Sequence, residues 1–296
     1  MVYYLSEVEY KLLLKDIRPV SRKVGVTDEL RGWNWDRSPL KPYHEVFLPM
    51  YLICSSYCPT SRDVYLNKVK KEQGQLNHPL SLGRVLHDTV SEAYSRAKQL
   101  DFDAQFKNWY KSQNYEQRLI GNFTLINRYA MKTWNYIMYN AKSRLQSTLS
   151  TQPYGKEEDL LSTAVPFLCE HKISGKLLGT SSILSLDCYD YMRSIIFDLK
   201  TGVKNRKEED RLFPTGYALV FESVYEVPVD VGCTVYLKFK DNRMVIERDL
   251  FHITDDLRSR WIEDRDKKSE IVYEKLDPGR PSKCPSSCIY REVCGD

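Results

Sequence analysis

The chain has 296 residues, 42% hydrophobic and 28% charged, with a formal net charge of +4. These are ordinary proportions for a soluble globular protein long enough to bury a sizeable core, and the mild basicity permits nucleic-acid binding without arguing for it. No apolar run reaches the ~18 residues of a membrane span, and Met1–Lys15 mixes acids among its apolar residues without a small-residue cleavage site, so neither a membrane protein nor an exported one is expected, and the cytoplasm is.

Residues 1–60 read as irregular, with a helical start at Glu7–Lys15 followed by a turn-rich stretch holding Trp33, Trp35, Pro39, Pro42 and Pro49. A helix capped by Ser81 follows, its apolar face formed by Leu82, Leu86, Val90, Ala93, Ala97 and Leu100. A second helical block covers Asp103–Ser150, with Leu119, Phe123, Ile126, Ala130, Trp134 and Ile137 as its stripe, and Gln152-Pro153-Tyr154-Gly155 ends it. The texture then changes. Val165–Leu168, Lys176–Asp187 and Arg193–Lys200 read as strands, followed by a charged loop, Lys204–Arg211, and a helical or mixed segment, Pro214–Tyr225. Thr234–Lys240 and Arg243–Asp249 flank Asp241-Asn242 as a hairpin. Thr254–Leu276 reads as a charged helix with Asp255 and Asp256 at its positive end. The expected class is α/β, with an N-terminal helical portion and a cysteine-rich tail.

The segment Ile195-Ile196-Phe197-Asp198-Leu199-Lys200 is the most informative. Residues two apart on a strand share a face, so Asp198 and Lys200 project together just past a buried apolar run. The carboxylate can hold a hard divalent cation, and the ammonium can orient a water or stabilise charge on a phosphate. A second carboxylate comes from Asp187 at hairpin spacing, with Cys188–Met192 as the turn and Asp190 as a fallback. His87 sits at the edge of its helix's apolar stripe, where it can reach a metal, and Gly83 one turn earlier leaves room for close approach. Taken singly, each also fits a surface ion pair or a boundary histidine.

The tail carries Cys284, Cys288 and Cys294 in a C-x3-C-x5-C pattern within a Pro/Ser-rich stretch that has little core of its own. Three thiolates leave a tetrahedral metal or a cubane cluster one ligand short, and Cys54 or Cys58 can supply the fourth. Zinc and disulfides are the alternatives. Cys169, Cys188 and Cys233 lie in or beside strands and read as small core residues.

Three features, in order along the chain, resemble one family. Cys58-Pro59 followed by Arg62 and Tyr65-Leu66 resembles its cysteine segment, Gly83-x-x-x-His87 its histidine motif, and Asp187 with Asp198-x-Lys200-Thr201-Gly202 the PD-(D/E)xK core. With the terminal cysteines, the pattern resembles the CRISPR-associated RecB-like iron–sulfur exonucleases, in the longer archaeal form found with subtype I-A systems. The resemblance implies a restriction-endonuclease-like mixed sheet flanked by helices. It also implies an N-terminal helical region over 1–160, a nuclease core over 161–276, and a cysteine tail over 277–296 packing on the N-terminal region. It implies that His87, Asp187 and Asp198, with the carbonyl of Leu199, ligate Mg²⁺ or Mn²⁺, that Lys200 positions the attacking water, and that Cys58, Cys284, Cys288 and Cys294 hold a [4Fe–4S] cluster. The implied partners are DNA and the CRISPR integrase proteins, and the implied role is trimming DNA into new spacers. Tyr217 fits the tyrosine of the family's Gln-x-x-x-Tyr motif, whereas Phe213 stands where the glutamine belongs. That departure motivates an alternative, a weak or inactive DNA-binding subunit stapled by its cluster. Arg84, Lys204, Arg206, Lys207 and Arg211 are candidates for phosphate contacts, and Trp109, Tyr129 and Trp134 for base stacking or, more simply, core packing.

Overall fold

A computed structural model of the chain describes residues 2–202, 207–284 and 288–294. The long helices are α1 (His78–Lys98), α2 (Phe123–Thr151), α3 (Leu212–Tyr225) and α4 (Asp255–Tyr273). The strands are β1 (Phe167–Ile173), β2 (Leu184–Asp190), β3 (Ile195–Thr201), β4 (Val231–Lys240) and β5 (Arg243–His252). They form one five-stranded sheet in the order β1-β2-β3-β4-β5. Only β3 and β4 run parallel, because α3 crosses over between them; the other pairs are antiparallel. This is the mixed, helix-flanked α/β sheet expected from the sequence.

Helices cover both faces of the central strands, which is why Ile195–Leu199 is buried without alternation. On one face, Phe197 and Leu199 meet Leu86, Val90 and Tyr94 of α1, Ile126, Ala130 and Trp134 of α2, and Tyr3 and Leu13 from the N-terminus. On the other, Ile196 meets Ala218 and Phe221 of α3, and Leu219 and Val220 of α3 meet Trp261 and Ile262 of α4. The core on the first face is therefore continuous across residue 160. One buried charge group ties the second layer together: Glu222 of α3 accepts from Arg258 of α4 at 2.7 and 2.9 Å, from Arg31 at 2.9 Å and from the backbone of Gly32 and Val229.

Several element boundaries differ from the sequence reading. Asn77, not Ser81, caps α1, accepting from Leu80 N at 3.0 Å, because Pro79 is tolerated in a first turn; Ser81 is buried and its hydroxyl accepts from Ile120 N. The second helical block divides into Phe106–Ser112, Tyr115–Arg118 and α2, broken by left-handed Asn114 and by Gly121 at φ +147°. Lys176–Asp187 is not one strand. Lys176–Leu178 is a 3₁₀ turn closed by left-handed Gly179, and the strand begins at Leu184. It then runs through Cys188 to Asp190, and the turn falls at residues 191–194, where Asp190 accepts from the N–H groups of Met192 and Arg193. Strand β1 extends to Ile173, beyond the expected Leu168. The α3 helix begins at Leu212, with Pro214 in the first turn, where its missing N–H has no partner to lose.

Candidate active site

Strands β2 and β3 pair only at Cys188↔Phe197, Tyr189↔Ile196 and Asp190↔Ile195, then diverge. Where the ladder stops, Asp187 replaces it: its Oδ2 accepts from Leu199 N at 2.7 Å. The gap leaves room for side chains, and α1 passes close enough to fill it. A Cβ on Gly83 would stand 2.8 Å from Thr201 Oγ1, so glycine allows that approach. One turn on, His87 Nδ1 lies 3.4 Å from Asp187 Oδ1. From β3, Asp198 and Lys200 point into the same space, with Lys200 Nζ 3.0 Å from Asp198 Oδ2. That oxygen is buried, and the ammonium lies off the line of a hydrogen bond, so no directed donor satisfies it. The groups line one open cleft of about 630 Å³, with Arg84 exposed on its wall and Tyr217 of α3 inside.

The electrostatics follow from burying unlike and like charges together. Burial alone would lower the His87 pKa, but the Asp187 carboxylate beside it more than reverses this and raises it to about 9. Burial would raise Asp187, and the His87 charge and the Leu199 N–H hold it below the usual carboxylate range. Asp198 is pushed up to about 6, first by burial, with Lys200 opposing and Asp187 adding to the rise. Burial, then the Asp187 and Asp198 charges, pushes the Tyr217 phenol well up, so it stays a protonated donor.

One carboxylate escaped the sequence reading. Glu170 of β1 lies between the pairs Cys169↔Cys188 and His171↔Leu186, so it stands across from Asp187. Its φ of +48° interrupts the ladder there, a conformation that disfavours side chains other than glycine and is common at working sites. Ligand atoms of His87, Glu170 and Asp187 all lie within 4.8 Å of one another, close enough to share one cation. Burial raises the Glu170 carboxyl, and Ser185, which donates to it, opposes the rise. The hidden signal was its place opposite Asp187, which the shorter strand expected at Val165–Leu168 did not reach.

Phe213, in the glutamine position, faces Lys200: the ammonium sits 3.1 Å from the centre of its ring. Among the phosphate-contact candidates, Arg84 lies on the cleft, whereas Arg211 is held by Asp249 at 2.7 and 2.9 Å. Lys204 and Arg206 lie outside the described residues, as does the side chain of Lys207. Trp134 is buried in the core with the half-buried Trp109 stacked on it, as core packing requires, and Tyr129 is half-buried and stacks on Phe239.

The cysteine arm returns to the helix at Arg62–Lys68. Tyr290 packs with Tyr65, Leu66 and Ile271, and Cys288 and Cys294 lie against this cluster. Gln75 N donates to Ile289 O, Asn67 to the Tyr290 hydroxyl, and Arg62 grips Asp277 at 2.9 Å. The Cys288 thiol is raised above its ordinary value first by burial, with Cys294, Cys284 and Cys58 adding to the rise. Cys54 is elsewhere: it is buried, with its sulfur 3.4 Å from Leu212 O. Of the two upstream cysteines, Cys58 and not Cys54 interacts with the thiols of the tail.

A family profile described as CRISPR-associated exonuclease Csa1 matches residues 1–296. The chain is similar to the CRISPR-associated exonuclease Csa1 of Saccharolobus solfataricus, 28% identical over 305 residues spanning 98% of this chain and 99% of that one. It is also similar to the protein of the same name from Thermoproteus tenax, 25% identical over 291 residues, with 98% and 99% covered.

Proposed function

This chain belongs to the CRISPR-associated exonuclease Csa1 family, and from that premise we propose that it is a divalent-metal-dependent deoxyribonuclease of the RecB-like class that trims DNA for CRISPR spacer acquisition. The observation that supports this best is the meeting of His87, from a helix far upstream, with Asp187, Asp198 and Lys200 where β2 and β3 part. His87, Asp187 and Asp198 would hold Mg²⁺ or Mn²⁺, with the Leu199 carbonyl as a further ligand and Glu170 as a carboxylate on the β1 side. The chemistry fits: His87, Glu170 and Asp187 bring an imidazole and two hard oxygen donors within 4.8 Å of one another, and Asp198 adds a buried oxygen with no hydrogen-bond partner. A bound cation polarises the scissile phosphate and makes a water nucleophilic near neutral pH.

The rest is the work of the chain. Lys200 holds positive charge beside the reacting phosphate and orients the water, and the Phe213 ring fixes the ammonium where the family places a glutamine. Tyr217, kept protonated, donates to a phosphate oxygen. Arg84 takes a neighbouring phosphate from the cleft wall, so binding weakens as salt rises. Cys58, Cys284, Cys288 and Cys294 would hold a [4Fe–4S] cluster, which would pin the tail to the Arg62–Lys68 helix. DNA is the substrate, and the CRISPR integrase proteins are the partners that receive the trimmed product. No helix among the described residues is long and apolar enough to cross a membrane.

The test is to incubate anaerobically purified protein and its Lys200→Ala variant with end-labelled single-stranded DNA and Mn²⁺. Degradation by the first and not the second supports the reading. Binding without degradation by either overturns it in favour of an inactive DNA-binding subunit, and equal degradation by both moves the active centre away from Lys200.

A further inference from the structure

Past the end of β3, on the side away from α3, lies a second cavity of about 390 Å³. Its walls are apolar: Leu82 and Leu86 of α1, Tyr129 of α2, and Leu237 and Phe239 of β4. It touches the cleft. Thr201 lines both, and the close approach of Gly83 to Thr201 forms the ridge between them. The rings of Tyr129 and Phe239 lie parallel, with centres 3.9 Å apart and planes 4° from each other, and both are half-buried. Lysines edge the opening. Lys238 is paired with Glu247, whereas Lys240 is exposed and makes no ion pair among the described residues. Lys132, one helical turn from Tyr129, donates to Asn242 O at the hairpin tip.

We infer that this cavity receives one unpaired nucleobase of the DNA strand whose phosphodiester lies in the cleft, a reading that rests on the proposed nuclease function. Size, shape and charge agree on that occupant. The volume falls at the small end of the range for small-ligand sites, about 300–1,000 Å³. A flat aromatic face in an apolar wall suits a base, because every base has a stacking face. The ammonium of Lys240 at the lip suits the phosphate that follows the base. A strand crossing the Thr201 ridge thus places one base in the cavity and the adjoining phosphate before Asp198 and Lys200. The cavity sets the register of the cut relative to the strand end and requires that the base be unpaired, because a duplex cannot present a ring face sideways.

The experiment uses fluorescein-labelled oligodeoxythymidines carrying a single abasic residue at successive positions, with binding to the full-length protein followed by anisotropy in Ca²⁺ to suppress cleavage. The expected result is one position where loss of the base weakens binding about tenfold, the factor that one stacked base supplies. Tyr129→Leu should weaken binding of the intact oligonucleotide by a similar factor and erase the penalty at that position, while Tyr129→Trp, which keeps a stacking face, restores both. A penalty spread evenly over all positions, or one that persists in Tyr129→Leu, overturns the inference. With cleavage of the same oligonucleotides read separately in Mn²⁺, cleavage by the wild type without a position-specific penalty removes the cavity and keeps the nuclease; the penalty without cleavage keeps the cavity and removes the nuclease.

Discussion

Replacing Glu222 by glutamine tests how the second layer holds the cleft in shape. Its Oε1 accepts from Arg31 and Arg258 at 2.9 Å and from Val229 N at 3.0 Å, and its Oε2 from Arg258 at 2.7 Å and Gly32 N at 2.9 Å. A glutamine amide turned either way sets its own N–H groups against two or more of these donors, and the fully buried Arg258 loses its bidentate carboxylate. Asp230, 3.8 Å from Arg258, is a poor substitute. Breaking one side of a buried pair costs about 3–5 kcal/mol, a large part of the ~5–15 kcal/mol that holds a domain folded. The expected outcome is an unfolding free energy, read from urea titration, lowered by that amount, with melting lowered by roughly 10 °C. Glu263→Gln, on the exposed face of the same helix α4, is the control and should change little. Because α3 carries Phe213 and Tyr217 into the cleft, DNA cleavage should fall before global unfolding. A loss under about 1 kcal/mol would refute the reasoning, since it would mean that Asp230, at 2.5 Å from Arg31, already carries the charge of both arginines.

Cation binding should depend on pH with a definite sign. His87, raised to about 9, and Asp198, raised to about 6, must both lose protons to ligate, so apparent Mn²⁺ affinity should climb by roughly tenfold per pH unit around neutrality, where His87 still carries its proton. Electron paramagnetic resonance titration of free Mn²⁺ reads this directly, and a flat profile would exclude His87 as a ligand. For the cluster, Cys288→Ala should abolish iron binding and the brown colour of the purified protein, while Cys54→Ala should keep both at some cost in stability from its buried site. Iron content and visible absorbance check this, and loss of colour only in the Cys54 variant would reverse the assignment.

The sequence alone determined the parts whose signals are local. The apolar run ending in Asp198-Leu199-Lys200 was readable because strand alternation and burial on both faces leave a compositional mark. The Asp241-Asn242 hairpin was readable for a similar reason: both residues adopt positive φ, which asparagine and aspartate tolerate. The acidic first turn of α4, Asp255 and Asp256, and the amphipathic face of α1 are of the same kind. What only tertiary structure decided are relations between distant segments. His87 as a partner of Asp187 depends on Gly83 letting α1 touch β3, and no spacing encodes that contact. Glu170 became a candidate ligand because β1 runs on to Ile173 in register with β2, which depends on how the connection through the Lys176–Leu178 turn closes. Cys54 and Cys58 are alike in sequence. They part company because the Met50–Cys54 helix turns Cys54 into the core beside Leu212, while Cys58 follows that helix and faces the returning tail. Local chemistry is written residue by residue, but a site made from strands that part and a helix that crosses them exists only once the core has packed and drawn those segments together.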